Sequence, residues 1–156
     1  MTFRDIFGGA KNSFIFYNAY IASDAQEIGI RKTMSLITMM SENIGEKQGK
    51  MMKKKAIISD FDAKTAYSQL MTIPESLGIR LEVEKESIYS VIFELNNCPF
   101  YEAAKILNID PEPLCRIGML KFMDKVAKQF NPNLNFELIK FRSSPKDCCK
   151  AKIVLK

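Results

Sequence analysis

Four cysteines are the side chains of this sequence best suited to chemistry. Cys98 and Cys115 each lie close to a proline that could open a helix, and Cys148 and Cys149 are adjacent near the C-terminus. Thiols bind metals, act as nucleophiles or fill a core as small apolar groups. The sequence has no C-x-x-C pair of the zinc-ribbon type, so only the fold could bring these thiols together.

The first two cysteines lie where helices are predicted to begin. Pro99 suits the first position of a helix, which places Cys98 near the N-cap, where the helix dipole and free backbone N–H groups favour a thiolate. Glu112 precedes Cys115 by three residues, so both side chains can project from one helical face. This arrangement would allow a carboxylate ligand beside a thiolate ligand.

The last two cysteines point to opposite faces if they lie in a strand. Cys149 then shares a face with the apolar residues of the last strand, and Cys148 shares the other face with lysines. We therefore expect Cys149 to join Cys98 and Cys115 inside the protein, with Cys148 or Glu112 as a further ligand. The alternative is that each cysteine is only a small buried residue of the core.

The sequence contains no histidine. This excludes Ser-His and Cys-His catalytic pairs, a histidine general base and histidine-ligated haem. Any metal would have to be held by cysteine, carboxylate, backbone or water ligands.

Composition and charge restrict the class of protein further. The 156 residues are 47% hydrophobic and 26% charged, which is ordinary for one globular domain, predicted to span residues 1–156. The net charge of +5 is concentrated in "EKQGKMMKKK", residues 46–55, which favours a solvated helix end over a nucleic-acid surface. With neither a membrane-length apolar run nor a signal-peptide pattern, the sequence predicts a cytoplasmic protein with reduced thiols.

Hydrophobic periodicity predicts an α+β fold, with N-terminal helices and two further helices packed on an antiparallel sheet of about four strands. The predicted helices are residues 9–24, 28–52, 62–73, 99–107 and 111–130; the predicted strands are 79–84, 89–95, 135–141 and 148–156. The second helix carries large apolar residues at helical spacing, which predicts a core face or a dimer seam: Ile30, Met34, Ile37, Ile44 and Met51.

The C-terminal half carries three motifs in order. Cys98–Pro99 follows a strand, Cys115 lies in a later helix, and Cys149–Ala151 begins near the last strand. On these motifs residues 77–156 resemble the 4-vinyl reductase-like and L-2-amino-thiazoline-4-carboxylic acid hydrolase-like domains. The helical N-terminal half resembles them in outline.

The resemblance implies a fold shared with haem-NO-binding and Golgi transport-particle domains, which enclose an apolar cavity and often dimerise. One branch senses aromatic hydrocarbons beside a cysteine-bound zinc, and "EPLC", Glu112 to Cys115, has the form of its Glu-x-x-Cys pair. The sensor pattern has its third cysteine soon afterwards, whereas here Cys148 and Cys149 come more than thirty residues later. The haem-binding role of these relatives does not apply to this chain, because the sequence has no histidine. The glycine pair Gly8–Gly9 lacks the preceding strand and the spacing that a dinucleotide-binding site requires.

Three functions remain open from the sequence. The first is a binding domain for a hydrophobic or aromatic molecule, such as a sensor, with a zinc site formed by Cys98, Cys115, Cys149 and either Glu112 or Cys148. Its ligand pocket is predicted from five apolar side chains: Phe14, Tyr17, Met34, Ile37 and Phe93.

The second function is a hydrolase with Cys98 as nucleophile or with an open zinc position. It would need an acid or base from Glu102, Asp110 or Glu112, and Arg116 or Lys105 to bind a substrate carboxylate. The third function is a homodimeric interaction module without a ligand.

Overall fold

A computed structural model gives the structure of residues 2–156. Within those residues there are seven helices and four strands. The helices are α1 (Phe3–Ile28), α2 (Ile30–Lys55), α3 (Ala63–Leu70), α4 (Thr72–Ser76), α5 (Pro99–Ile106), α6 (Pro111–Ile117) and α7 (Met119–Phe130); the strands are β1 (Arg80–Glu86), β2 (Ser90–Asn96), β3 (Leu134–Lys140) and β4 (Cys149–Leu155).

Side-chain caps and prolines set several helix starts. Asp62 accepts a hydrogen bond from the backbone N–H of Thr65 at 2.7 Å and so caps α3. Pro99 and Pro111 occupy the first positions of α5 and α6, where a missing N–H leaves no hydrogen bond unmade. Asp110 is the N-cap residue of α6.

Some of the predicted helix boundaries are wrong near a glycine or a proline. Gly29, at φ +88°, alone separates α1 from α2, and an L side chain is strained in that conformation. Pro74 does not end a helix but lies in the first turn of α4, where proline is tolerated. The helix predicted over 111–130 is divided at Gly118 into α6 and α7.

The four strands form one antiparallel sheet in the order β1-β2-β4-β3. Phe93 pairs with Ala151, and Leu95 pairs with Cys149. Alternate residues of β4 are buried from Cys149 onward, while Lys150 on the opposite face forms an ion pair with Glu84 at 2.5 Å. The helices lie on the apolar face, which confirms the predicted α+β architecture.

The buried face of α2 differs from the predicted one. The buried residues recur every four positions, and all except Ile37 are small: Thr33, Ile37, Ser41, Gly45 and Gly49. A Cβ at Gly45 would lie 2.6 Å from the Phe122 carbonyl oxygen, so glycine permits the close approach of α2 and α7. Of the predicted apolar stripe, Ile37 is buried and Met34 is half-buried, whereas Ile30, Ile44 and Met51 are exposed. The core face is therefore wrong at those three positions, and the dimer seam stays a prediction.

The interior contains two hydrophobic clusters. The main core lies between the sheet and helices α3 and α7, and includes Phe61, Phe93 and Phe130. A smaller cluster joins α1, α2, α5 and α6 through Ile21, Ile37, Phe100 and Leu114. Within residues 2–156, no helix has the length and apolar character required to cross a membrane.

Candidate functional site

A small apolar cavity lies between the sheet and helices α1 and α4–α7. Its volume is about 100 Å³, and three of the four cysteines line it: Cys98, Cys115 and Cys149. The remaining lining side chains are aromatic, aliphatic, methionine or proline, among them Phe14, Phe100, Phe122, Phe136, Met119 and Met123. We call this the cysteine-lined cavity.

Three separate elements bring the thiols to it. Cys98 is the N-cap residue of α5, after a turn at Asn97 with a φ of 56°. Cys115 lies in α6. Cys149 is the first residue of β4 and is buried, opposite Leu95 at the end of β2. The three thiols therefore converge, as predicted, where the paired ends of β2 and β4 meet helices α5 and α6.

The surroundings of all three thiols favour the neutral form. Burial raises the pKa of Cys115, and the nearby Cys98 and Cys149 raise it further. Burial also raises the pKa of Cys98, against the lowering effect of the backbone N–H groups of Tyr101 and Phe100 and of the Arg142 charge. In Cys149 burial again dominates, and the backbone N–H of Arg142 lowers the pKa.

A buried arginine lies beside two of these thiols. Arg142 is only 3% exposed, and its Nη2 donates hydrogen bonds to the carbonyl oxygens of Asp147 and of Pro145, the latter at 3.4 Å. Its guanidinium carbon lies 5.3 Å from the centre of the Tyr101 ring. Among residues 2–156 its Nε and Nη1 have no hydrogen-bond partner.

Arg142 is the functional candidate that the sequence analysis missed, because it falls in the predicted loop between the last two strands. The alternation along β3 gave no signal for it. Leu134 and Phe136 are buried, but the bulge between Leu138 and Lys140 sets Lys140 opposite Lys150 on the outer face, so the even-numbered positions leave the buried face before Arg142.

The other predicted metal ligands lie elsewhere. Glu112 is paired with Arg116 at 2.7 Å on the surface of α6. Cys148 faces Glu94, and both burial and a hydrogen bond with Glu94 raise its pKa. In the part of the chain from residue 2 onward, no three Cys, Asp or Glu side chains are arranged to hold a metal ion. These residues as they stand do not fit a zinc site, which stays a prediction without support from this geometry.

The polar groups suggested for a hydrolase are engaged outside the cavity. Glu102 forms an ion pair with Lys11 at 3.4 Å, and Asp110 accepts the backbone N–H of Glu112 at 3.1 Å. Lys105 lies over the Tyr101 ring at 5.7 Å. None of these side chains lines the cysteine-lined cavity.

The five side chains predicted to form a ligand pocket are divided among three places. Phe14 lines the cavity. Tyr17, Met34 and Ile37 belong to the adjoining small cluster, and Phe93 belongs to the main core. Their contact with a ligand stays a prediction.

Comparison with known proteins agrees with the resemblance seen in the sequence. A family model described as L-2-amino-thiazoline-4-carboxylic acid hydrolase matches residues 11–153. No curated protein sequence matches the chain.

Two solved structures share the fold. The phenol-responsive sensory domain of the transcription activator PoxR, crystallised with phenol, is 11% identical with a TM-score of 0.60, covering 90% of this chain and 74% of that one. Trafficking protein particle complex subunit 3 from Naegleria fowleri, covalently bound to palmitic acid, is 16% identical with a TM-score of 0.55, covering 94% and 96%. At these identities the likeness establishes the fold alone.

Proposed function

The chain belongs to the L-2-amino-thiazoline-4-carboxylic acid hydrolase family, and from this premise we propose that it binds a small hydrophobic or aromatic molecule in the cysteine-lined cavity. The observation that carries the proposal is a cavity in the interior whose lining side chains are all apolar or thiol. Apolar cavities bind apolar ligands because no polar wall groups have to be desolvated. Two proteins of the same fold were crystallised with phenol and with palmitic acid, which supports this choice.

The size of the cavity favours a single ring over a long acyl chain. Its volume is about 100 Å³, and an engineered apolar cavity of about 150 Å³ is known to take benzene. A sixteen-carbon chain would require the surrounding helices to separate. We therefore propose a one-ring ligand, in contact with Phe14, Phe100 and the three thiols.

The test is calorimetric titration of the reduced protein with toluene and with phenol. We expect saturable binding of at least one of them at one site per chain. Ala151→Leu adds three carbon atoms to a fully buried lining residue and should weaken binding roughly tenfold or more, equivalent to about 1.4 kcal/mol.

The matched control is Lys152→Met, the next residue of the same strand but on its opposite face. It should leave ring binding unchanged. If toluene and phenol both fail to bind to the folded wild-type protein, or if Ala151→Leu binds them as tightly as wild type does, the cavity is not the binding site.

Hydrolysis of a small ring compound is the second candidate function. It is favoured by the family match and by the position of Cys98 at the N-terminus of α5, beside the Tyr101 and Phe100 backbone N–H groups and the Arg142 charge. We place it second because burial raises the pKa of the Cys98 thiol, and the thiolate is the nucleophile. Consumption of a bound ring compound, rather than its recovery unchanged, distinguishes this function from binding.

We further propose that α1 and α2 pair with a second copy of the chain. Large apolar side chains are exposed along these helices, among them Phe16, Tyr20, Leu36, Met39 and Met40, and exposed apolar surface beyond scattered single residues is typical of interaction sites. Sedimentation equilibrium should give twice the chain mass, and Met39→Glu should shift the protein towards monomer. A wild-type protein that stays monomeric at high concentration would contradict the pairing.

A further inference from the structure

Four large apolar side chains are exposed at one end of the molecule. Ile57 and Ile58 lie in the loop between α2 and α3, and Ile88 and Tyr89 lie in the turn between β1 and β2. Ile57 is 103% exposed, which means that it has almost no contact with the rest of the chain. Single exposed apolar residues are common on protein surfaces, whereas several together mark a contact surface.

The fold brings the loop and the turn together. The backbone N–H of Ala63, the first residue of α3, donates a hydrogen bond to the Ile88 carbonyl oxygen at 2.9 Å. Phe61 is buried in the main core, and its carbonyl oxygen accepts a hydrogen bond from Asn131 Nδ2 at 3.0 Å. The loop is therefore anchored beside the turn. We call the four exposed side chains the apolar tip: Ile57, Ile58, Ile88 and Tyr89.

Exposed lysines adjoin the apolar tip. Lys53, Lys54 and Lys55 end α2 directly before the loop, and Lys85 lies near the end of β1, before the turn. None of these four lysines takes part in an ion pair within residues 2–156. The tip therefore has positive charge on both of its segments.

The acids at this end only partly offset that charge. Glu86 is paired with Lys64 at 2.6 Å. Asp60 and Asp62 lie in the loop, and Asp62 accepts the backbone N–H of Thr65 as the cap of α3. Two loop carboxylates against four lysines without an ion pair leave an excess of positive charge.

Stabilisation of helix ends accounts for only part of this arrangement. Lys53 Nζ donates a hydrogen bond to the Phe130 carbonyl oxygen at 3.0 Å, at the C-terminus of α7, and a helix C-terminus favours cations in general. Neither effect explains why Ile57 and Ile58 follow the lysines and are exposed. The combination of charge and apolar side chains requires a partner that takes both.

We propose that this end of the molecule binds the surface of a membrane that contains anionic lipid. Lysines are attracted to anionic headgroups, and apolar side chains enter the boundary between headgroups and acyl chains, where tyrosine is also favoured. A nucleic acid would attract the lysines through its phosphates but leave the isoleucines without a contact. The binding is peripheral, since no helix within residues 2–156 can span a membrane.

The proposed surface is separate from the cysteine-lined cavity. Leu95, near the end of β2, lines the cavity, whereas the turn that carries Ile88 and Tyr89 precedes the first residue of that strand. No residue of the apolar tip lines the cavity. Membrane binding can therefore succeed or fail independently of ring binding.

The experiment is co-sedimentation of the reduced full chain with vesicles of phosphatidylcholine alone and of phosphatidylcholine with about 30% phosphatidylserine. Wild type should bind the anionic vesicles roughly tenfold or more tightly than the neutral ones. Ile57→Ser combined with Ile58→Ser should weaken anionic binding roughly tenfold or more, because less apolar surface is buried. Lys54→Gln combined with Lys55→Gln should have a similar effect through the lost charge.

Each pair has a matched control elsewhere on the surface. Ile106→Ser combined with Ile139→Ser removes two isoleucines that are 56% and 49% exposed, in α5 and at the end of β3. Lys32→Gln combined with Lys146→Gln removes the same charge from the start of α2 and from the loop between β3 and β4. Both controls should bind anionic vesicles within about twofold of wild type.

Four outcomes would overturn the proposal. The first is a wild-type protein that does not bind anionic vesicles. An equal loss in the two lysine pairs would show that net charge alone is responsible. A loss in Lys54→Gln with Lys55→Gln but none in Ile57→Ser with Ile58→Ser would indicate a surface for polyanions. Finally, an isoleucine pair that alters the mass at sedimentation equilibrium but not vesicle binding would assign the apolar tip to a second copy of the chain.

Discussion

Replacing Phe93 by alanine is expected to lower the free energy of unfolding by about 3–5 kcal/mol. The Phe93 ring is fully buried in β2. It lies 5.0 Å from the Tyr67 ring and 6.0 Å from the Phe136 ring, measured between ring centres. Removing it opens a cavity between the sheet and α3, because the backbone of a central strand cannot close onto the gap.

Urea unfolding followed by far-UV circular dichroism measures the effect. Tyr89→Ala is the control, since it removes a ring that is 66% exposed and lies outside α1 and α2; its effect should stay within about 0.5 kcal/mol. A loss below about 1 kcal/mol for Phe93→Ala would contradict the core assignment. Loss of ring binding at unchanged stability would instead return Phe93 to the ligand pocket that the sequence predicts.

Phe93 also shows why the sheet was easier to predict than the pocket. The alternation of Val91, Phe93 and Leu95 identifies a strand and its apolar face, and the structure confirms both. It cannot say which part of that face meets a helix and which meets a cavity. Leu95 lines the cavity while Phe93, two residues earlier, packs in the main core.

The core face of α2 was predicted only in part, for a related reason. Hydrophobicity scales rank Ile44 and Met51 above Gly45 and Gly49, so the periodicity favours the larger residues as the buried face. The packing follows steric fit instead: α7 approaches α2 so closely that a Cβ at Gly49 would lie 2.6 Å from the Gln129 Cγ atom. A stripe of small residues at four-residue spacing was the signal that could have identified this face.

The candidate site could be predicted in part. Proline and strand positions were enough to bring Cys98, Cys115 and Cys149 towards one place, where all three line one cavity. Which side chains complete their surroundings depends on tertiary contacts with no sequence pattern. Glu112 turns to Arg116 on the surface, while Arg142, from the predicted loop, lies inside.

The three cavity thiols are also expected to make the protein less stable at alkaline pH. In the unfolded chain a thiol with the ordinary pKa of 9.0 loses its proton as the pH rises through that value, whereas burial raises the pKa of Cys98, Cys115 and Cys149 in the folded chain. The unfolded state then binds fewer protons than the folded state, so the free energy of unfolding falls above pH 9. At pH 10 a thiol that stays fully protonated in the folded chain lowers it by about 1.4 kcal/mol, which is the upper limit for each of the three.

Urea unfolding at pH 8 and at pH 10 under reducing conditions tests this expectation. The pKa values of Tyr17, Tyr67 and Lys150 are also raised in the folded chain. The pH range of 8 to 10 does not exceed their ordinary values, which are 10.0 for the two tyrosines and 10.5 for the lysine. Removing the three thiols together, as Cys98→Ala, Cys115→Ala and Cys149→Ala, should abolish most of the fall whatever it does to stability at pH 8. Cys148→Ala removes only the thiol outside the cavity, whose pKa is also raised, and should retain most of the fall. An equal fall in the triple variant and in wild type would show that other groups cause it and that the cavity thiols ionise as freely in the folded chain as in the unfolded one.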